Sequence, residues 1–115
     1  MKYGNDIKLL EPSFCEDMSI PDKLRAILHQ TNGIQETMFH PKTGEKIVTG
    51  WILYSYEEMV RSTNNYKNEY GLQETVFSDD GAGNPYYLLE GKVYEFDPID
   101  NESTFLANSI EEFYR

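Results

Sequence analysis

The stretch whose residue types come nearest to chemistry is Ser78-Asp79-Asp80-Gly81-Ala82-Gly83-Asn84, where glycines stand beside paired carboxylates. Such a turn could cradle a phosphate, bind calcium or supply an acid/base pair, and each use requires further residues. A phosphate loop needs Lys-Ser or Lys-Thr after its glycines and then a helix, whereas Asn84-Pro85 and a predicted strand follow here. The two aspartates would also repel phosphate. A calcium loop needs oxygen ligands at alternate positions, a glycine at the sixth and a bidentate glutamate at the twelfth. Neither 79–90 nor 97–102 keeps that spacing. An Asp79-Asp80 acid/base pair would need a nucleophile or a metal, and nothing in the chain signals one. The turn therefore reads as structural, with exposed carboxylates.

The remaining reactive residues are isolated. Cys15 is the single cysteine, which excludes an intrachain disulfide and a thiolate cluster; between Phe14 and Glu16 it reads as a half-buried, inert thiol. His29 and His40 are the two histidines, the first beside an apolar helical stripe and the second at a turn. Neither has the spacing of a zinc site or of a Ser/His/Asp or Cys/His set. No catalytic residue, metal ligand or cofactor is assigned, and the chain reads as non-enzymatic.

Stepping along the chain from the acidic turn, residues 85–97 form a tight hairpin about Glu90-Gly91, where glycine can take the positive φ a two-residue connection requires. Counting outward, Leu89 faces Lys92, Leu88 faces Val93, Tyr87 faces Tyr94 and Tyr86 faces Glu95, and paired residues share a face. Tyr87, Leu89, Tyr94 and Phe96 make the expected core face. Tyr86, Leu88, Val93, Glu95 and Asp97 make a mixed face, the candidate working surface. With the flanking loops it yields a partner-binding ridge of Asp79, Asp80, Tyr86, Glu95, Asp97, Asp100 and Glu102.

Charge supports a protein partner for this ridge. Twenty acids against ten bases give a net charge of -10. The excess is concentrated after residue 50, where thirteen acids stand against four bases, compared with seven against six before it. A field of that sign repels nucleic acid and anionic membrane and steers a basic partner. With 115 residues, nine Tyr, six Phe and one Trp, the chain is expected to form one domain over 1–115. There is no basic-then-apolar leader and no apolar run near eighteen residues, so a cytoplasmic location is expected. Oligomeric state is not legible.

The other elements follow from periodicity and caps. Residues 1–19 show poor regularity, with a short helix or strand open over Asp6–Leu10 before Pro12 interrupts it. Ile20–Asn32 is a predicted helix, with Pro21 in its first turn, Asn32-Gly33 as its stop and Ile20, Leu24, Ile27 and Leu28 on one stripe. Thr37–Tyr54 reads as a looser hairpin turning at Pro41–Gly44, with a bulge or close approach at Gly50. Ser55 and Glu58 form a capping box for a helix to Tyr70, ended by Gly71, whose Tyr and Met stripe could line a ligand groove but is assigned to core packing. Leu72–Ser78 is a strand, Pro98–Glu102 an acidic loop, Thr104–Ala107 a last strand, and Ser109 with Glu112 caps a closing helix. The order implies an α+β fold with a largely antiparallel sheet packed with helices.

Ile20-Pro21-Asp22 to Asn32-Gly33-Ile34, Trp51, Tyr66 to Gly71, Phe77 to Asn84, Gly91-Lys92-Val93-Tyr94 with Phe96-Asp97, and Leu106-Ala107-Asn108-Ser109 to Phe113 occur in an order and spacing that resembles the SUKH superfamily. That superfamily includes the yeast cell-wall regulator family and many bacterial immunity proteins. The resemblance covers roughly residues 20–114. It implies an α+β fold without enzymatic activity that binds and neutralises a cognate polymorphic toxin, often a nuclease. Relatives commonly have a fuller N-terminal helix and a Trp before the acidic residue late in the second hairpin strand, where this chain has Phe96-Asp97. No toxin-contacting residue carries over, so the ridge rests on hairpin geometry and charge. The competing expectations are a regulatory scaffold for a cellular partner and a small-ligand or metal domain using residues 78–84.

Overall fold

The computed structural model describes residues 6–115 and has an α+β architecture, with two antiparallel sheets and three helices among those residues. The first sheet has the order β1 (Asp6–Leu9), β2 (Ile34–Phe39), β3 (Lys46–Leu53). Of the helix and strand open to Asp6–Leu10 in the sequence, β1 is the strand; residues 1–5 lie outside the described ones. All four β1 residues are exposed, so no alternation marks them in sequence, and pairing with the distant β2 makes them a strand. On β3, Glu36 faces Gly50 while Thr37 faces Val48, which leaves Thr49 as the extra residue of a bulge beside the glycine.

Helix α1 (Asp22–Leu28) buries Leu24 and Leu28, with Ile20 buried just ahead of it, as the stripe predicts, but it starts two residues after Ile20 and stops four residues before Asn32. The N–H groups of Gln30 and Thr31 both turn back to the Ile27 carbonyl, and the Thr31 hydroxyl donates to the carbonyls of Leu10 and Gly33. Those bonds close the helix and tie it to the first sheet. Helix α2 (Tyr56–Tyr70) begins where the Ser55 Oγ accepts from the Glu58 N–H at 3.1 Å and ends at Gly71 with φ 73°.

The second sheet has the order β4 (Thr75–Asp79), β5 (Pro85–Leu89), β6 (Lys92–Asp97), β7 (Glu102–Ala107). The β5–β6 register is the predicted one at all four pairs. Glu90 and Gly91 both have positive φ, 52° and 80°, the conformation of a hairpin turn whose twist matches its strands. Helix α3 (Ile110–Phe113) is capped by Ser109 Oγ, which accepts from the Glu112 N–H at 3.0 Å. The sheets are joined by the Tyr54 N–H donating to the Phe77 carbonyl and by the Ser78 hydroxyl donating to the Ile52 carbonyl, both at 2.8 Å.

The assignment of one core face and one open face to the hairpin needs correcting. Helix α2 covers the first, where Tyr66 and Tyr70 meet Phe96, but α3 covers much of the second, where Phe113 lies 4.8 Å from Tyr86. Leu88 and Val93 of the supposed open face are buried, while Leu89 of the supposed core face is 37% exposed. A sheet covered by helices on both sides must be apolar on both, and a helix of four residues is enough to seal the strand centres here.

Candidate functional site

Antiparallel order decides where the ridge residues fall. The end of β4, the start of β5, the end of β6 and the start of β7 all lie at one end of the second sheet. Asp79 and Asp80, Tyr86, Glu95 and Asp97, and Glu102 are therefore gathered there, with Asp100 in the β6–β7 turn. Tyr86, Glu95, Asp97 and Glu102 also share a face: Tyr86 pairs with Glu95, and Asp97 pairs with Glu102. Like charges directly opposite across strands destabilise a sheet, and this end carries such a pair.

The seven residues are not equivalent. Asp79 accepts from the Gly81 N–H at 2.8 Å with Oδ1 and from the Tyr54 hydroxyl at 2.5 Å with Oδ2. Asp80 accepts from the N–H groups of Ala82 and Asn84 and from the Asn84 side chain, closing the glycine-rich turn. Asp97 Oδ1 accepts from the N–H of Ile99 and of Asp100, shaping the β6–β7 turn. These three carboxylates thus have structural employment. Asp100 and Glu102 are exposed, and Glu95 is half-buried beside Asp80. Tyr86 is half-buried with its ring against Phe113, so it sits under the ridge instead of projecting from its centre.

Two carboxyl groups respond oppositely to this crowding. Burial, and then the neighbouring Asp80, push the Glu95 carboxyl above the usual carboxylate range. Burial acts on Asp80 in the same sense, but the hydrogen bonds from Ala82, Asn84 and Glu95 outweigh it and hold that carboxyl below its ordinary value. A raised folded-state pKa means that Glu95 contributes stability fully present below its unfolded pKa and lost as pH rises through the folded value. Ionised Glu95 is then a cost at neutral pH. Glu95→Gln is expected to stabilise the fold at pH 7 by roughly 0.5 kcal/mol after solvent screening, and by nothing measurable at pH 3. Paired thermal melts at the two pH values check the sign.

The sequence reading assigned the Tyr and Met stripe of α2 to the core, and the structure divides it. Met59 is fully buried, whereas Tyr66 and Tyr70 line a groove of about 290 Å³ with Tyr54, Glu58, Arg61, Glu69 and Asp79. Burial, and then Asp79, raise the Tyr54 phenol, which stays a hydrogen-bond donor to that carboxylate. The groove joins Tyr54, just past β3, to α2 and the end of β4; the helical spacing of the Tyr stripe and the Glu58 and Arg61 pair on one helix face are its traces in the sequence.

The histidines have local partners. His29 Nε2 lies 2.8 Å from the Cys15 carbonyl, and His40 Nδ1 accepts from the N–H groups of Lys42 and Thr43. Cys15 is buried, more deeply than its sequence context suggests. Among the described residues, no group of three or more His, Cys, Asp or Glu is placed to hold a metal ion, and no helix is long and apolar enough to cross a membrane.

Comparison with curated proteins and with solved structures finds no match. A sequence model of the SMI1 / KNR4 family (SUKH-1) matches residues 5–115, which is nearly the whole chain, and the α+β architecture is consistent with it. The chain belongs to the SMI1 / KNR4 family (SUKH-1).

Proposed function

We propose that this protein is a non-enzymatic immunity protein that binds and neutralises a cognate polymorphic toxin domain of basic character, such as a nuclease. Membership of the family supports a role of the immunity or the SMI1 / KNR4 kind. The observation that carries the finer reading is the acidic end of the second sheet, where the fold sets carboxylates opposite and beside one another at a cost to its own stability. Asp79, Asp80 and Asp97 are accounted for by the turns they close, but the pairing of Asp97 with Glu102 and the crowding of Glu95 against Asp80 are not, and a cationic partner surface would relieve both. A regulatory scaffold binding a cellular partner is the second reading, favoured by the SMI1 / KNR4 branch of the family name.

Co-expression decides between them. With a toxin gene encoded beside this one, the protein is expected to restore growth of cells producing the toxin domain and to co-purify with it. Growth arrest unchanged by the protein, together with no complex in solution, would reject the immunity reading and leave the scaffold.

A further inference from the structure

The groove between α2 and the start of the glycine-rich turn has the chemistry of a receptor for one guanidinium group. Its rim carries three carboxylates, Glu58, Glu69 and Asp79, but one cation, Arg61. Arg61 is already committed to Glu58: its Nε donates to one carboxylate oxygen at 2.8 Å and its terminal nitrogen to the other. That fork is the geometry in which arginine meets a carboxylate. Of the other two, Glu69 has no hydrogen bond or ion pair among the described residues, and Asp79 accepts from the Tyr54 hydroxyl and the Gly81 N–H but has no ion pair among them.

The wall is aromatic. The Tyr66 and Tyr70 rings stack at 5.7 Å with an interplanar angle of 27°, and Phe96 backs both of them. A flat cation lying against such a wall gains from the ring quadrupoles, while neighbouring carboxylates accept its N–H groups. Burial and then Asp79 raise the Tyr66 phenol, which keeps it neutral beside the unbalanced negative charge. The unbalanced carboxylates and the aromatic lining together favour a planar guanidinium over a compact, strongly hydrated ammonium.

We infer that this groove takes an arginine side chain presented by the partner, between the Tyr66–Tyr70 wall and the Glu69 and Asp79 carboxylates. The inference rests on the protein-binding reading above, but its chemical half can be tested without a toxin. Amide chemical shifts of the folded protein are followed during titration with capped arginine (Nα-acetyl-arginine N-methylamide) and with its neutral analogue, capped citrulline. Saturable shifts at groove amides are expected with arginine and not with citrulline, weakened at least threefold in Glu69→Gln and abolished in Glu69→Lys, an exposed position where the fold tolerates change. No saturable shift, or equal shifts with citrulline, overturns the inference. So does a toxin domain that binds the parent and Glu69→Lys with equal affinity, a result that leaves the immunity reading intact. A toxin domain that fails to bind even the parent rejects that reading, and the arginine titration still decides the groove.

Discussion

Gly33→Ala is expected to destabilise the protein by about 3 kcal/mol or more, the sum of backbone strain and overpacking. Gly33 has φ +105°, and a Cβ there would lie 2.8 Å from the Ser55 backbone nitrogen and 3.1 Å from the Leu53 carbonyl oxygen. Both obstacles are backbone, so neither can rotate aside. The position is also a junction: the Gly33 carbonyl accepts from the Leu10 N–H and the Thr31 hydroxyl, while Ser55 across from it caps α2. A shift to relieve the clash would disturb α1, the first sheet and the α2 cap together. Gly83→Ala supplies the control. Its φ is +94°, but nothing lies within 4 Å of the added atom, so the strain alone should cost about 1 kcal/mol. Urea melts of the two variants, compared at equal m-value, measure the difference.

The fold was legible wherever its cause was local. The Glu90-Gly91 turn sets the β5–β6 pairing because a two-residue loop leaves no freedom of register, and the Ser55 and Ser109 caps act within one helical turn. β7 begins two residues earlier than its apolar pattern implies because Asn101 adopts φ 56° and tightens the acidic loop. Legibility failed where the cause was distant. β1 is exposed throughout and owes its conformation to β2, and the second hairpin face is covered by a helix too short to announce its depth of contact.

The candidate site divides along the same line. The hairpin register brings Tyr86, Glu95 and Asp97 to one face, and that much follows from counting. Turn chemistry could not be counted: Asp79, Asp80 and Asp97 each commit one oxygen to backbone N–H groups, and Tyr86 is pressed on Phe113 from a helix that begins thirteen residues past Asp97 in the chain. The groove needed three elements to be assembled before Tyr54, Tyr66 and Asp79 met.

The second large effect concerns the acidic end itself, and turn chemistry dictates how to probe it. Reversing Asp97 would remove the acceptor for two N–H groups of the β6–β7 turn and confuse folding with binding. Glu95, Asp100 and Glu102 have no such backbone task among the described residues, and Asp100 and Glu102 are exposed. Their combined change to lysine turns three negative charges into three positive ones at one end of the sheet. Steering by a charged surface alters association rates by factors of about 10 to 1,000, most strongly at low salt.

The measurement that bears most directly on recognition through this end is therefore the association rate of the toxin domain with the parent and with the Glu95→Lys, Asp100→Lys, Glu102→Lys variant, across a range of ionic strength. The parent rate is expected to fall steeply as salt rises, and the variant to associate roughly 100-fold more slowly at low salt, with little salt dependence, a melting temperature no lower than the parent's and no protection of cells. A folded variant that associates as fast as the parent, with the same salt dependence and full protection, would contradict recognition through the acidic end.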